Sequence, residues 1–74
     1  MPRLPVLSGD DFVKLMIKIG YVWEYTAGSH MILVHPTKHR LSVPRHRELD
    51  RGLLRKLISD AGLTRGAFIK LLSE

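Results

Sequence analysis

Apolar residues recur at Phe12, Leu15, Met16 and Ile19, the i, i+3, i+4, i+7 spacing that lines one face of a helix. Ser8 stands ahead of them with Asp11 three residues on, a capping-box-like start, and Gly20 follows as a stop. The spacing therefore predicts a first helix from Gly9 to Ile19, with Asp10 and Lys14 one turn apart on its outer edge and able to pair. At Tyr21 the period changes. Tyr21, Trp23 and Tyr25 alternate with Val22, Glu24 and Thr26, which predicts a strand over Tyr21 to Thr26. After the tight connection Ala27-Gly28-Ser29, the run from His30 to His35 predicts a second strand; because Met31 to Val34 are all apolar, they do not reveal which face is buried. Pro36 to His39 form a turn, and Arg40 to Val43 a short third strand ended by Pro44.

Further on, Asp50 is placed to cap a helix whose stripe is Leu53, Leu54, Leu57, Ile58 and Ala61, with Gly62 closing it. Thr64 caps a last short helix packed through Phe68, Leu71 and Leu72. The order α-β-β-β-α-α describes an α+β fold: a three-stranded antiparallel meander with helices on one face and the other face free for a partner. Seventy-four residues suit one domain, residues 1–74, burying roughly 60% of the surface that the unfolded chain exposes. With 45% hydrophobic residues the composition is globular, and with no cysteine neither a disulfide framework nor a thiolate zinc site is available. Met1 to Leu7 are interrupted by prolines and are not expected to form a signal peptide, and no apolar run approaches the ~18 residues of a membrane span. No membrane association is expected, and a soluble, cytoplasmic protein is.

Charge changes the picture because it is segregated. Between Lys38 and Lys56 lie seven basic residues against Glu48 and Asp50, whereas the rest of the chain carries five of each sign, so the whole net charge of +5 belongs to one segment. Such focusing favours contact with a polyanion, nucleic acid above all. The alternative is a solvated helix face that keeps a small protein soluble.

Four histidines are candidates for chemistry. His35 and His39 straddle a strand end and a Pro-containing turn, with no cysteine or nearby carboxylate to complete a ligand set, so no metal site is expected and both read as exposed loop residues. His30 is different, because Gly28-Ser29 places it at the mouth of an apolar strand close in sequence to the basic segment. Imidazole exchanges protons near neutral pH without a metal, as cleavage of RNA through its own 2′-hydroxyl requires. Arginine forks suit the phosphoryl oxygens. Taken alone, one histidine after a glycine is more commonly explained as a buried, hydrogen-bonded strand residue. No G-x-S-x-G context, phosphate-binding glycine loop or carboxylate pair competes.

Together these pieces resemble the HicA family of toxins from prokaryotic toxin–antitoxin modules. The likeness runs through Leu4-Pro5-Val6-Leu7-Ser8-Gly9, Gly20-Tyr21, Gly28-Ser29-His30, Val43-Pro44-Arg45-His46, Gly52-Leu53-Leu54-Arg55-Lys56-Leu57-Ile58 and Ala61-Gly62-Leu63. It implies a fold similar to a double-stranded RNA-binding domain and a metal-independent endoribonuclease, without cofactor, that cuts mRNA and arrests translation. His30 matches the family's catalytic histidine in its Gly-Ser-His motif. The resemblance also implies a HicB-type antitoxin as partner, with a toxin that is monomeric when free and hetero-oligomeric in the complex. Family members often carry basic residues just before Gly-Ser-His, where this chain has Tyr25, Thr26 and Ala27.

The resulting expectation is His30 as general acid or base, Gly28 and Ser29 shaping its turn, and Arg45, His46, Arg47, Arg51 and Arg55 binding the phosphates of single-stranded mRNA, with His46 either a second proton-transfer group or part of the phosphate loop. Two other classes stay open: a non-catalytic RNA-binding module using residues 38–56, and a small interaction domain whose Arg-rich helix docks on an acidic protein.

Overall fold

The computed structural model describes residues 4–74; Met1, Pro2 and Arg3, the start of the stretch not expected to be a signal peptide, lie outside the described residues. Helices α1 (Gly9–Lys18), α2 (Arg51–Asp60) and α3 (Arg65–Leu72) and strands β1 (Val22–Ala27), β2 (His30–Val34) and β3 (Leu41–Pro44) follow the predicted order. The strands form one antiparallel sheet in the order β1-β2-β3. All three predicted N-caps are in place: Ser8 Oγ accepts the Asp11 N–H, Asp50 the N–H groups of Gly52 and Leu53, and Thr64 Oγ1 that of Ala67. Among the described residues, no helix is long and apolar enough to cross a membrane.

Register settles the face that the apolar run of β2 left open. Met31 pairs with Val43 and Leu33 with Leu41, and these four fill the core with Phe12 and Met16 of α1, Leu54 and Leu57 of α2, and Phe68 of α3. Residues directly opposite in an antiparallel ladder share a face. His30, Ile32 and Val34 therefore point to the other side, which no helix covers. The Phe12 and Phe68 rings stack at 5.9 Å between centroids, joining α1 to α3.

The first strand departs from its predicted alternation. Tyr21 lies just outside β1 and is buried, while every residue of β1 is exposed, and the ladder shifts register between Trp23 and Tyr25. The extra residue, Glu24, is a bulge that puts Trp23 and Thr26 on the helix-bearing side opposite Leu33 and Met31, and turns Tyr25 to the open side opposite Ile32. Trp23 Nε1 accordingly donates to Thr26 Oγ1 at 3.0 Å. Glu24 pairs instead with Arg40 at 3.4 Å.

Tyr21 Oη donates to the His39 carbonyl at 2.8 Å, tying the end of α1 to the β2–β3 turn. Burial pushes its phenol above the ordinary 10.0, and the Asp60 carboxylate adds to the rise. Since the folded state holds this proton more tightly than the unfolded chain, the contribution is complete below the ordinary value and is lost as pH climbs through the folded one. Absorbance titration is expected to show one tyrosine ionising above the ordinary range as stability falls. Tyr21→Phe should remove that alkaline dependence and cost about 1 kcal/mol at neutral pH.

Candidate active site and nucleic-acid interface

Gly28 and Ser29 are the two connecting residues of the β1–β2 hairpin, whose last pair is Ala27 with His30. Gly28 has φ +60 and, among the described residues, positive φ is confined to glycines, so Ser29 has negative φ and the turn follows the II′ pattern, with glycine first. A side chain there would meet open space, and its cost would be the backbone angle alone. His30 leaves this tip on the open side of the sheet. It is exposed, flanked by Ala27 on one strand and Pro44 on the other.

Among the described residues, the histidine ring nitrogens engaged in hydrogen bonds are those of His35. The Thr37 N–H donates to His35 Nδ1 at 3.1 Å, which fixes the proton on Nε2, and Nε2 donates to the Ile19 carbonyl at 3.1 Å. His35 also packs on the Tyr21 ring at 5.0 Å. It is thus a half-buried fastener of α1 and not the exposed loop residue that its position in the sequence suggests. His39 is exposed as expected and contributes only its carbonyl.

Arg45 is joined to the tip through its backbone: its N–H donates to the Ser29 carbonyl at 2.7 Å. Its side chain passes under β2 on the helix-bearing side. There Nε meets Asp10 Oδ1 at 3.2 Å, Nη2 approaches Met31 Sδ at 3.7 Å, and the guanidinium lies 5.3 Å from the Trp23 ring centroid. Asp10 therefore pairs with Arg45 and not with Lys14, because the loop after β3 brings a guanidinium to the first turn of α1. The His46 carbonyl accepts the Gly9 N–H at 2.9 Å, and His46 lines a cleft with Glu48, Asp50 and Arg51. Arg47 is exposed beside it.

Arg51 and Arg55 lie elsewhere. With Leu4 and Arg65 they line a cleft of ≈ 280 Å³ where α2 meets the start of α3, on the side of the sheet opposite the His30 side chain. The expected site residues thus fall into two groups, one around the hairpin tip and one along α2, with His46 and Arg47 on the loop that joins them. Of the seven basic residues between Lys38 and Lys56, three are committed within the protein: Lys38 Nζ donates to the Ala61 carbonyl at the end of α2, Arg40 pairs with Glu24, and Arg45 with Asp10. Sequence reasoning missed Asp10 as a partner of Arg45, Trp23 as its platform, and Arg65. The first two depend on the loop after β3, which carries the Arg45 side chain to the helix-bearing side. Arg65 lies outside the charged segment, and only the turn between α2 and α3 brings it to Arg51 and Arg55.

Residues 9–63 match the family model of the HicA toxin of bacterial toxin–antitoxin. The chain belongs to the HicA toxin family. The match spans most of its length and takes in Gly28-Ser29-His30 and the segment from Arg45 to Arg55, while Arg65 lies beyond it. Among curated proteins, none matches the chain. Membership in the HicA family makes this a toxin of the nuclease type that pairs with an antitoxin.

Proposed function

We propose that this HicA-family toxin is an endoribonuclease that cleaves single-stranded stretches of mRNA without a metal ion, and that its HicB-type antitoxin binds it and covers the hairpin tip. The observation that carries the reading is the position of His30: exposed, directly after the two-residue Gly28-Ser29 turn, and with no hydrogen bond to its ring among the described residues, unlike His35. As a base, the neutral imidazole takes the proton of a ribose 2′-hydroxyl. The oxygen attacks the adjacent phosphorus, the bond from phosphorus to the 5′-oxygen breaks, and that oxygen leaves with a proton from water or a second acid. The products are a 2′,3′-cyclic phosphate and a 5′-hydroxyl end. Arg45 is held by Asp10 on the helix-bearing side, so the exposed Arg47 of the loop after β3 is the guanidinium assigned to offset the charge that builds on the phosphoryl oxygens. A rigid A-form duplex holds the 2′-oxygen away from in-line attack, so flexible strands are the expected substrate.

Incubated in EDTA with a single-stranded RNA, the purified toxin is expected to produce new ends carrying cyclic phosphate. RNA that is bound in a salt-dependent manner but left intact would reduce the protein to a binding module. Tight association with acidic proteins and none with RNA would point to the interaction-domain reading.

A further inference from the structure

We infer that Arg51, Arg55 and Arg65, converging on the cleft at Leu4, form a phosphate-binding subsite that anchors the RNA backbone away from the scissile bond. This rests on the RNA reading above and gives the toxin a second point of grip, on the helix-bearing side of the sheet.

All seven carboxylate side chains of the chain fall among the described residues, and the ion pairs they form there are with Arg40 and Arg45. None lines the arginine cleft or its continuation, where Arg55 and Arg65 are joined by Ile58, Ser59 and Leu63. Asp50, the nearest acid in sequence to Arg51, has its carboxylate on the Gly52 and Leu53 N–H groups. Three arginines therefore line one concavity that no carboxylate lines, a local excess of positive charge suited to an anion. Arg51 and Arg55, one turn apart on α2, form one wall, and Arg65, the first residue of α3, forms the other.

The choice of anion follows from the number of forks. A lone carboxylate carries one negative charge and is satisfied by one bidentate arginine, whereas an RNA strand presents a charged phosphodiester at every nucleotide and engages donors from two walls at once. The buried Leu4 also lines the cleft and adds an apolar surface beside the three exposed arginines. The cleft adjoins the one lined by His46, Glu48 and Asp50 through their shared Arg51, so Arg51 links the loop after β3 to the start of α3.

The test uses a 2′-O-methyl single-stranded octanucleotide, which lacks the attacking hydroxyl and reports binding without chemistry, together with the full-length chain. Arg65→Gln is expected to weaken binding roughly tenfold, and to flatten the dependence of log Kd on log salt by about 0.7, the value for one phosphate contact on a single strand. Arg65→Lys should recover part of the affinity, and Arg40→Gln, which removes a guanidinium already paired with Glu24, should change it little. Arg65 is exposed and makes no described hydrogen bond through its side chain, so thermal melts of these variants should match the wild type. Equal affinity of the Arg65→Gln and wild-type proteins would overturn the subsite, as would Arg65-dependent binding of an Asp/Glu-rich peptide in place of the oligonucleotide. Cleavage of unmodified RNA is scored separately. Cleavage with no Arg65 effect on binding leaves the nuclease and removes the subsite; Arg65-dependent binding with no cleavage does the reverse.

Discussion

Replacing His30 by alanine is expected to abolish RNA cleavage, with a rate loss of at least ~100-fold, the lower bound for a positioned proton-transfer group. The same change should leave the circular dichroism spectrum, the melting temperature and antitoxin binding nearly intact, because the ring is exposed and bonds to no described neighbour. Removing a side chain that fills no cavity leaves no packing defect behind. That combination separates a chemical role from a structural one. His35→Ala supplies the contrast: it breaks the links to Ile19 and Thr37 and should lower stability. If the His30→Ala protein cuts RNA at the wild-type rate, the proton is moved by another group, and His46 on the adjoining loop is the next to substitute.

The largest effect on stability is expected from Gly9→Ala. A Cβ on Gly9 would run into the carbonyl oxygen of Pro44, and would stand 3.1 Å from the Pro44 carbonyl carbon and 3.2 Å from Met31 Cε. The obstacle is backbone at the end of β3, so no rotamer change relieves it. The start of α1 must move outward, and the Gly9 N–H loses the His46 carbonyl. A loss of about 3 kcal/mol is expected against a gain of at most ~1 kcal/mol from replacing a helical glycine. For a domain of this size each kcal/mol shifts the melting temperature by roughly 4–8 °C, so a fall of more than ~10 °C is expected. Gly66→Ala is the matching control: it also lies in a helix, the nearest recorded heavy atom, Thr64 Oγ1, is 4.0 Å away, and melting should stay level or rise. A Gly9→Ala protein that melts with the wild type would show that α1 and β3 are less tightly joined than this contact requires.

The helices were legible because their signals are local. Ser8, Asp50 and Thr64 each needed only their own following N–H groups, and Gly20 and Gly62 only their own positive φ. The sheet was legible in order but not in detail. Nothing among Trp23, Glu24 and Tyr25 distinguishes an alternating strand from a bulged one, and the apolar run of β2 acquires an inner and an outer side only from its register with Leu41 and Val43. His30 could be singled out from its turn and from the family motif. Which face carried the arginines could not, since Arg45 goes to the helix-bearing side for the sake of Asp10 and Trp23, and Arg51 and Arg55 find Arg65 only after α3 has folded back.

The loop that follows β3 holds Ser29 through the Arg45 N–H and Gly9 through the His46 carbonyl, so the tip bearing His30 is stitched to the first helix at adjacent residues. Its conformational entropy is surrendered when the chain folds and not when a substrate arrives. On the proposed reading, an RNA strand therefore meets a backbone already fixed at the tip, and the ordering that remains at encounter falls on the His30 ring and the flexible nucleic acid.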